Sequence, residues 1–170
     1  MKTVCFRDAV FPVTPEVWET VEENPIANFP WDKTGYKPKV TFKLFHSREG
    51  FHVRFEAEDE HILAVNTEPN SSVCQDSCVE WFVNPSPQAS KNYVNFEINP
   101  LGTLHAGFGE NIFKRELLSG ETYAMIKIKP YISSPAWRME YFAPFKFFEK
   151  LYGPIGFTAG HEIAANFYKC

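Results

Sequence analysis

The chain has 170 residues and a formal net charge of −4, with 44% hydrophobic and 22% charged residues. This length and composition indicate one globular domain, residues 1–170, that can bury a substantial core. The acidic balance argues against a nucleic-acid-binding protein, which needs clustered Lys and Arg, and no basic amphipathic segment indicates binding to a membrane.

Residues 1–38 are predicted to form a long irregular arm that wraps around the rest of the domain. Thr14 and Pro15 favour one short helical turn, with Thr14 as the N-cap. Prolines interrupt any longer element, at positions 25, 30 and 38. We expect Trp18 and Trp31 to pin this arm onto the core rather than to stack on a ligand.

The start of the chain has no sustained apolar run and no small-residue cleavage site. We therefore expect no signal peptide and a cytoplasmic location, or an extracellular one if a leader preceded this sequence in the natural protein.

Four cysteines, Cys5, Cys74, Cys78 and Cys170, are too few for a disulfide scaffold in a chain of this size, and we predict free thiols. Cys74 and Cys78 would lie ~13 Å apart in an extended chain, which is too far for a bridge. A metal site at this pair would need two more ligands, and the nearby sequence offers no His/Cys cluster.

Residues 39–170 alternate apolar and polar side chains in short runs between turn signals. The runs predict strands at 39–46, 51–58, 77–84, 93–99, 104–108, 122–128, 137–142 and 162–168. A short helix or turn is expected after Pro144, up to Lys150. Many short strands and little helix predict an all-β fold, an antiparallel β-sandwich of two sheets.

The run from Ser77 to Asn84 contains an unexpected carboxylate. Val79, Trp81 and Val83 occupy one face of the predicted strand, so Glu80 occupies the other. A carboxylate in that position should face solvent, a partner strand or a ligand.

Four segments, taken in order, resemble a family 9 carbohydrate-binding module, and the resemblance runs from about residue 31 to the end. They are residues 75–82 (QDSCVEWF), 93–99 (YVNFEIN) with Gly102, 137–140 (WRME) leading to 143–145 (APF), and 166–170 (NFYKC). The resemblance implies a β-sandwich that binds a sugar without catalysing a reaction.

The same resemblance implies differences at the sugar site. In such modules two Trp rings enclose a terminal sugar, but the position of one ring falls at residues 72–74, which read Ser-Val-Cys. The other ring belongs to a segment beyond the last predicted strand, and we expect this chain to lack that segment. Glu97 stands where the family has an arginine. The implied site is therefore a degraded one.

The predicted sugar-binding residues are Glu80, Asn95, Glu97, Asn99 and Asn166. Their amide and carboxylate groups supply the donors and acceptors that sugar hydroxyls need. The alternative for the same residues is a solvated polar face, or one bonded across strands. The predicted ligand is a mono- or oligosaccharide.

No catalytic residue is predicted. Glu80, Glu97 and Glu140 could be neighbours on adjacent strands, and two carboxylates ~5–10 Å apart can hydrolyse a glycoside. Polar strand faces carry Glu routinely, however, so we expect a protein that is not an enzyme.

No cofactor is predicted, although structural calcium occurs in the family and Asp59, Glu60 and Asp76 are compatible with it. The alternative function is a structural or protein-interaction domain with the same fold and no sugar ligand. Such a domain could form a homo-oligomer through an exposed sheet edge.

Overall fold

Two β-sheets form the framework of the computed structural model, which describes residues 1, 3–30 and 32–170. Within these residues the first sheet contains β1 (Val4–Cys5), β2 (Asn24–Ile26), β3 (Lys39–His46), β4 (Gly50–Glu58), β9 (Lys127–Ser133) and β10 (Ala136–Pro144). The second contains β5 (Val79–Asn84), β6 (Tyr93–Ile98), β7 (Leu104–Gly109), β8 (Glu116–Leu117) and β11 (Ala164–Lys169). The helices are α1 (Pro15–Glu19), α2 (Gly120–Ala124) and α3 (Phe145–Tyr152), with a 3₁₀ turn at Val73–Gln75. The predicted two-sheet β-sandwich with little helix is confirmed.

The strand order is β1-β3-β4-β10-β9 in the first sheet, with β2 also paired to β3, and β11-β5-β6-β7-β8 in the second. The pairing is antiparallel except between β1 and β3, which run parallel. Two pieces of the predicted irregular arm, β1 and β2, therefore belong to a sheet. None of the helices in the described residues is long and apolar enough to cross a membrane.

Aromatic rings fill the space between the sheets. Trp81 on β5 is fully buried, and its ring stacks against Phe96 and Phe167 at centroid distances of 5.5 and 6.2 Å. Phe42, from the first sheet, stacks on Phe167 at 3.6 Å. Because side chains alternate along a strand, this inward Trp81 directs Glu80 to the outer face of the second sheet.

The arm covers the outer face of the first sheet. Trp18 on α1 has no exposed surface, and its ring lies 5.0 Å from that of Phe45. The guanidinium of Arg54 lies 4.5 Å from the Trp18 ring and donates a hydrogen bond of 2.7 Å to Glu140. The pinning role predicted for Trp18 is confirmed, whereas Trp31 lies outside the described residues.

The strand predicted at 122–128 is wrong for most of its length. Helix α2 occupies Gly120–Ala124, and β9 begins only at Lys127. Over so few residues, alternation and helical spacing cannot be told apart. The Tyr123 hydroxyl donates to the carbonyl of Leu104 at 2.7 Å, so a tertiary contact holds this turn of helix against β7.

Asp76 holds the loop that leads into β5. Its carboxylate accepts hydrogen bonds from the backbone N–H groups of Val65 and Asn66, at 3.2 and 3.0 Å, and from the Asn99 amide at 2.8 Å. Burial acts to raise the pKa of Asp76, but these donors outweigh it and the pKa is lowered.

We expect Trp18→Ala to lower the free energy of unfolding by about 3–5 kcal/mol, because it empties a fully buried site and uncovers Arg54 and Glu140. Urea unfolding measures this change. Val10→Ala is the control, since Val10 is 76% exposed in the same arm. A loss below about 1 kcal/mol would show that the arm does not depend on Trp18.

We expect Asp76→Asn to lower the free energy of unfolding at pH 7 by about 2 kcal/mol, because an amide cannot accept from all three donors as a carboxylate does. The pKa of Asp76 is lower in the folded than in the unfolded chain. Its stabilisation is therefore present above about pH 4 and is lost as the pH falls through the folded-state pKa.

The wild-type and Asp76→Asn curves of stability against pH should accordingly converge in acid. Asp8→Asn is the control, because the Asp8 side chain is 91% exposed. A constant difference between wild type and Asp76→Asn at every pH would contradict the assignment.

Candidate functional site

The outer face of the second sheet brings together four of the five predicted site residues. Glu80 on β5 lies opposite Glu97 on β6, and Phe82 on β5 lies opposite Asn95 on one side and Asn166 on the other. Two neighbouring rows across the sheet thus present carboxylate and amide groups on one surface.

Glu97 contacts an amide and a guanidinium on this face. Its Oε1 accepts a hydrogen bond of 2.6 Å from the Asn95 amide and lies 3.8 Å from Nη2 of Arg115. Among the described residues, the Asn95 Oδ1 and the Arg115 Nη1 have no hydrogen-bond partner, although both atoms are buried. One acceptor and one donor are therefore left unpaired beside the same carboxylate.

Arg115 was not predicted as a site residue. It precedes β8, and its side chain crosses the backbone of Gly107, where an added Cβ would meet the arginine Cγ at 2.7 Å. The family resemblance implied an arginine at the position of Glu97, and Arg115 brings a guanidinium to the same surface from another segment. Gly107 is the residue that could have indicated such a contact. It pairs with Asn95 and has no side chain, so it leaves space on this face for a side chain from another segment.

Glu80 lies at the end of the polar row, next to two thiols. Its Oε1 is 2.8 Å from Sγ of Cys170 and 3.7 Å from Sγ of Cys78. Burial raises the pKa of Glu80 and the charge of Glu97 adds to this rise, while the thiol donors and Arg115 oppose it.

Aromatic rings flank the polar rows, at positions that were not predicted. Phe82 stacks on Tyr93 at 5.7 Å and meets Tyr168 edge-on at 5.3 Å. A groove of about 360 Å³ runs beside them and is lined by Phe82, Tyr93, Asn166 and Lys91, among others. The face has no ring at Cys74, but it does offer apolar surface next to the amide of Asn166.

Asn99, the fifth predicted residue, is occupied by the fold. Its amide donates to the carbonyl of Asn66 at 2.7 Å and to Asp76 at 2.8 Å. Its Oδ1 accepts from the backbone N–H groups of Leu101 and Thr103. Both polar atoms of Asn99 are therefore bonded within the fold, unlike those of Asn95, so Asn99 is not part of the candidate site.

The expectation that Glu140 could neighbour Glu80 and Glu97 is wrong. Glu140 lies on β10 in the first sheet, where Arg54 binds it beneath the arm. Alternation along a strand indicates on which face of its sheet a side chain lies, but it does not indicate to which sheet the strand belongs.

Asp59, Glu60 and Asp76 do not fit a calcium ion. Asp59 accepts from the Tyr36 hydroxyl at 2.8 Å and from the His61 N–H at 3.0 Å, and Lys169 lies 3.5 Å from its other oxygen. Asp76 is used by the donors of its own loop. Two of the three carboxylates thus already have bonded partners, and among the described residues the three do not gather into a group of metal-ligating atoms.

A second depression, of about 450 Å³, is lined by arm and β3 residues such as Pro25, Phe29 and Val40. Its polar lining residues, Glu23, Lys37, Lys39 and Thr41, include none of the predicted site residues. The outer face of the second sheet is therefore the better candidate site.

Comparisons with known proteins agree with this architecture. A protein described as a candidate carbohydrate-binding protein from Bacteroides uniformis ATCC 8492 is similar with a TM-score of 0.81 and 24% identity, over 99% of this chain and 84% of that chain. A family 9 carbohydrate-binding module from Caldicellulosiruptor kristjanssonii is similar in its complexes with glucose and cellotriose. The TM-scores are 0.61 and 0.62, with 16% identity in both cases, over 98% of this chain and 76% and 75% of those chains. None of the curated proteins matches.

At these identities the solved structures establish the fold alone. The sequence profile of carbohydrate-binding family 9 matches residues 16–170, which is most of the chain. The chain therefore belongs to carbohydrate-binding family 9.

Proposed function

We propose that this protein binds a mono- or oligosaccharide without catalysis, on the outer face of the second sheet. The observation that carries the proposal is the groove in which the rings of Phe82 and Tyr93 lie beside the exposed amide of Asn166. A sugar hydroxyl can both donate to and accept from an amide, and the face of a sugar ring can pack on aromatic surface.

Membership of family 9 supports the proposal, as do the glucose and cellotriose complexes of the Caldicellulosiruptor module. The rings of Phe82, Tyr93 and Tyr168 offer the apolar surface on which a sugar face can pack. Asn166, exposed at the edge of the same face, adds an amide within this surface.

The arrangement of the carboxylates favours binding over hydrolysis. Glycosidases place two carboxyl groups on either side of the bond that breaks. Glu80 and Glu97 are cross-strand neighbours in one row, so both lie on the same side of any ligand that covers the sheet. Glu97 is further engaged by Asn95 and Arg115.

Calorimetric titration with glucose, cellobiose and cellotriose tests the proposal. We expect saturable binding by the wild type and about tenfold weaker binding by Glu97→Gln, because the stronger, charged acceptor is lost. Glu121→Gln, whose side chain is 94% exposed on α2, should bind like the wild type. No heat with these sugars or with a wider panel of monosaccharides would overturn the proposal.

Gly107→Ala should displace Arg115, since the new Cβ would lie 2.7–2.9 Å from the arginine Cγ and Cδ and from Asn95 Oδ1. We expect sugar affinity to fall to the level of an Arg115→Ala variant, with a common cause in the lost guanidinium. Circular dichroism checks that both variants keep the fold. Unchanged affinity in Gly107→Ala would show that Arg115 does not contact the ligand.

The second candidate function, a protein-interaction domain, is favoured by one feature. Strand β11 pairs with β5 on one side only, and Ala164, Ala165 and Asn166 are exposed. An edge of this kind can pair with another chain. A concentration-independent dimer in size-exclusion chromatography, together with no sugar binding, would favour this function over the first.

A further inference from the structure

Three ligand-type side chains meet at one end of the second sheet. Cys78 and Glu80 point to the same face, because they are two residues apart in extended chain. The N–H of Cys170 donates to the carbonyl of Cys78 at 3.0 Å, which continues the β5–β11 pairing and sets the two cysteines opposite each other. Two cysteines far apart in sequence thus become neighbours of one carboxylate.

The spacing of these groups suits a tetrahedral ion. The two sulfur atoms and a carboxylate oxygen all lie within 4.8 Å of one another, with Glu80 Oε1 at 2.8 Å from Cys170 Sγ and 3.7 Å from Cys78 Sγ. Zinc bonds of ~2.3 Å to sulfur and ~2.0 Å to oxygen place tetrahedral ligand atoms ~3.5–3.8 Å apart. The 3.7 Å separation already fits this geometry, and the 2.8 Å separation would have to lengthen by about 0.7 Å on binding.

The charge around the cluster also favours a cation. Cys78 is fully buried and Glu80 is 9% exposed, and Glu80 faces a second carboxylate, Glu97, directly across the strands. Arg115 is the positive group near this pair, and its Nη2 is 3.8 Å from Glu97. A dication at Glu80 would relieve the repulsion between two buried carboxylates.

We propose that Cys78, Glu80 and Cys170 form a binding site for Zn²⁺ or a similar thiophilic divalent ion. Two sulfur ligands select such an ion over Ca²⁺ or Mg²⁺, which prefer oxygen. Three protein ligands leave the fourth tetrahedral position for a solvent molecule. The site goes beyond the proposed sugar binding and does not rest on it, since no sugar is needed to assemble it.

Metal titration of the full chain, reduced with a phosphine and freed of metal by dialysis against chelator, tests the proposal. We expect one Zn²⁺ per chain, measured by competition with a chromophoric chelator and unaffected by millimolar Ca²⁺. Co²⁺ in place of zinc should give a thiolate-to-cobalt charge-transfer band and the visible bands of a tetrahedral ion.

Variants at the ligands and away from them complete the test. Cys170→Ser should weaken zinc binding at least 100-fold and remove the charge-transfer band that its sulfur contributes, and Glu80→Gln should weaken binding at least tenfold. Both changes leave the buried Cys78 in place, so the fold can be verified by circular dichroism. Cys5→Ser, at an exposed thiol in the first sheet, should bind zinc like the wild type.

Absence of zinc binding by the reduced wild type would overturn the proposal, and so would equal binding by Cys170→Ser and wild type. Zinc is measured without sugar, so the two proposals fail separately. A chain that binds zinc but shows no heat with any sugar keeps the metal site and loses the sugar function.

Discussion

The packing of Trp81 between the two sheets is the constraint on which the rest of the molecule depends. The ring touches Phe96 and Phe167 in its own sheet and Phe51 from the opposite one. Because neighbouring side chains of a strand point in opposite directions, a buried Trp81 places Glu80 and Phe82 on the outer face. A slip of one residue in register would place a carboxylate in the apolar space between the sheets and turn the indole to the outer face, so the pairing of β5 is strongly specified.

That constraint explains why much of the candidate site could be predicted from the sequence. Alternation along each strand indicates which sheet face carries Glu80, Asn95, Glu97 and Asn166. The antiparallel pairing of β11, β5 and β6 then makes these residues neighbours. The strand at Lys39–His46 was predicted with its observed bounds because its alternating pattern is long and regular. The pattern at 122–128 is as long as the correctly predicted one at 93–99, so length alone does not separate them. At Gly120–Ala124 a helical turn forms instead, and Tyr123 bonds it to Leu104.

The residues that were missed share a physical cause. Arg115 reaches the site only because Gly107 leaves room for its side chain, and Cys170 joins Cys78 only through the pairing of β11 with β5. Both depend on which segments become neighbours, which local periodicity does not encode. For Glu140 the prediction placed its strand beside those of Glu80 and Glu97. The strand belongs to the first sheet instead, so Glu140 lies on the other outer face.

Each outer face of the sandwich carries an arginine beside a glutamate. On the first sheet Arg54 pairs with Glu140, and Trp18 of the arm lies on the guanidinium. On the second sheet Arg115 stands beside Glu97. The arm thus covers the first face with a segment of the same chain. If the second face binds sugar as proposed, each chain offers one such face, and avidity toward a polymeric ligand would come from linking several copies of the chain.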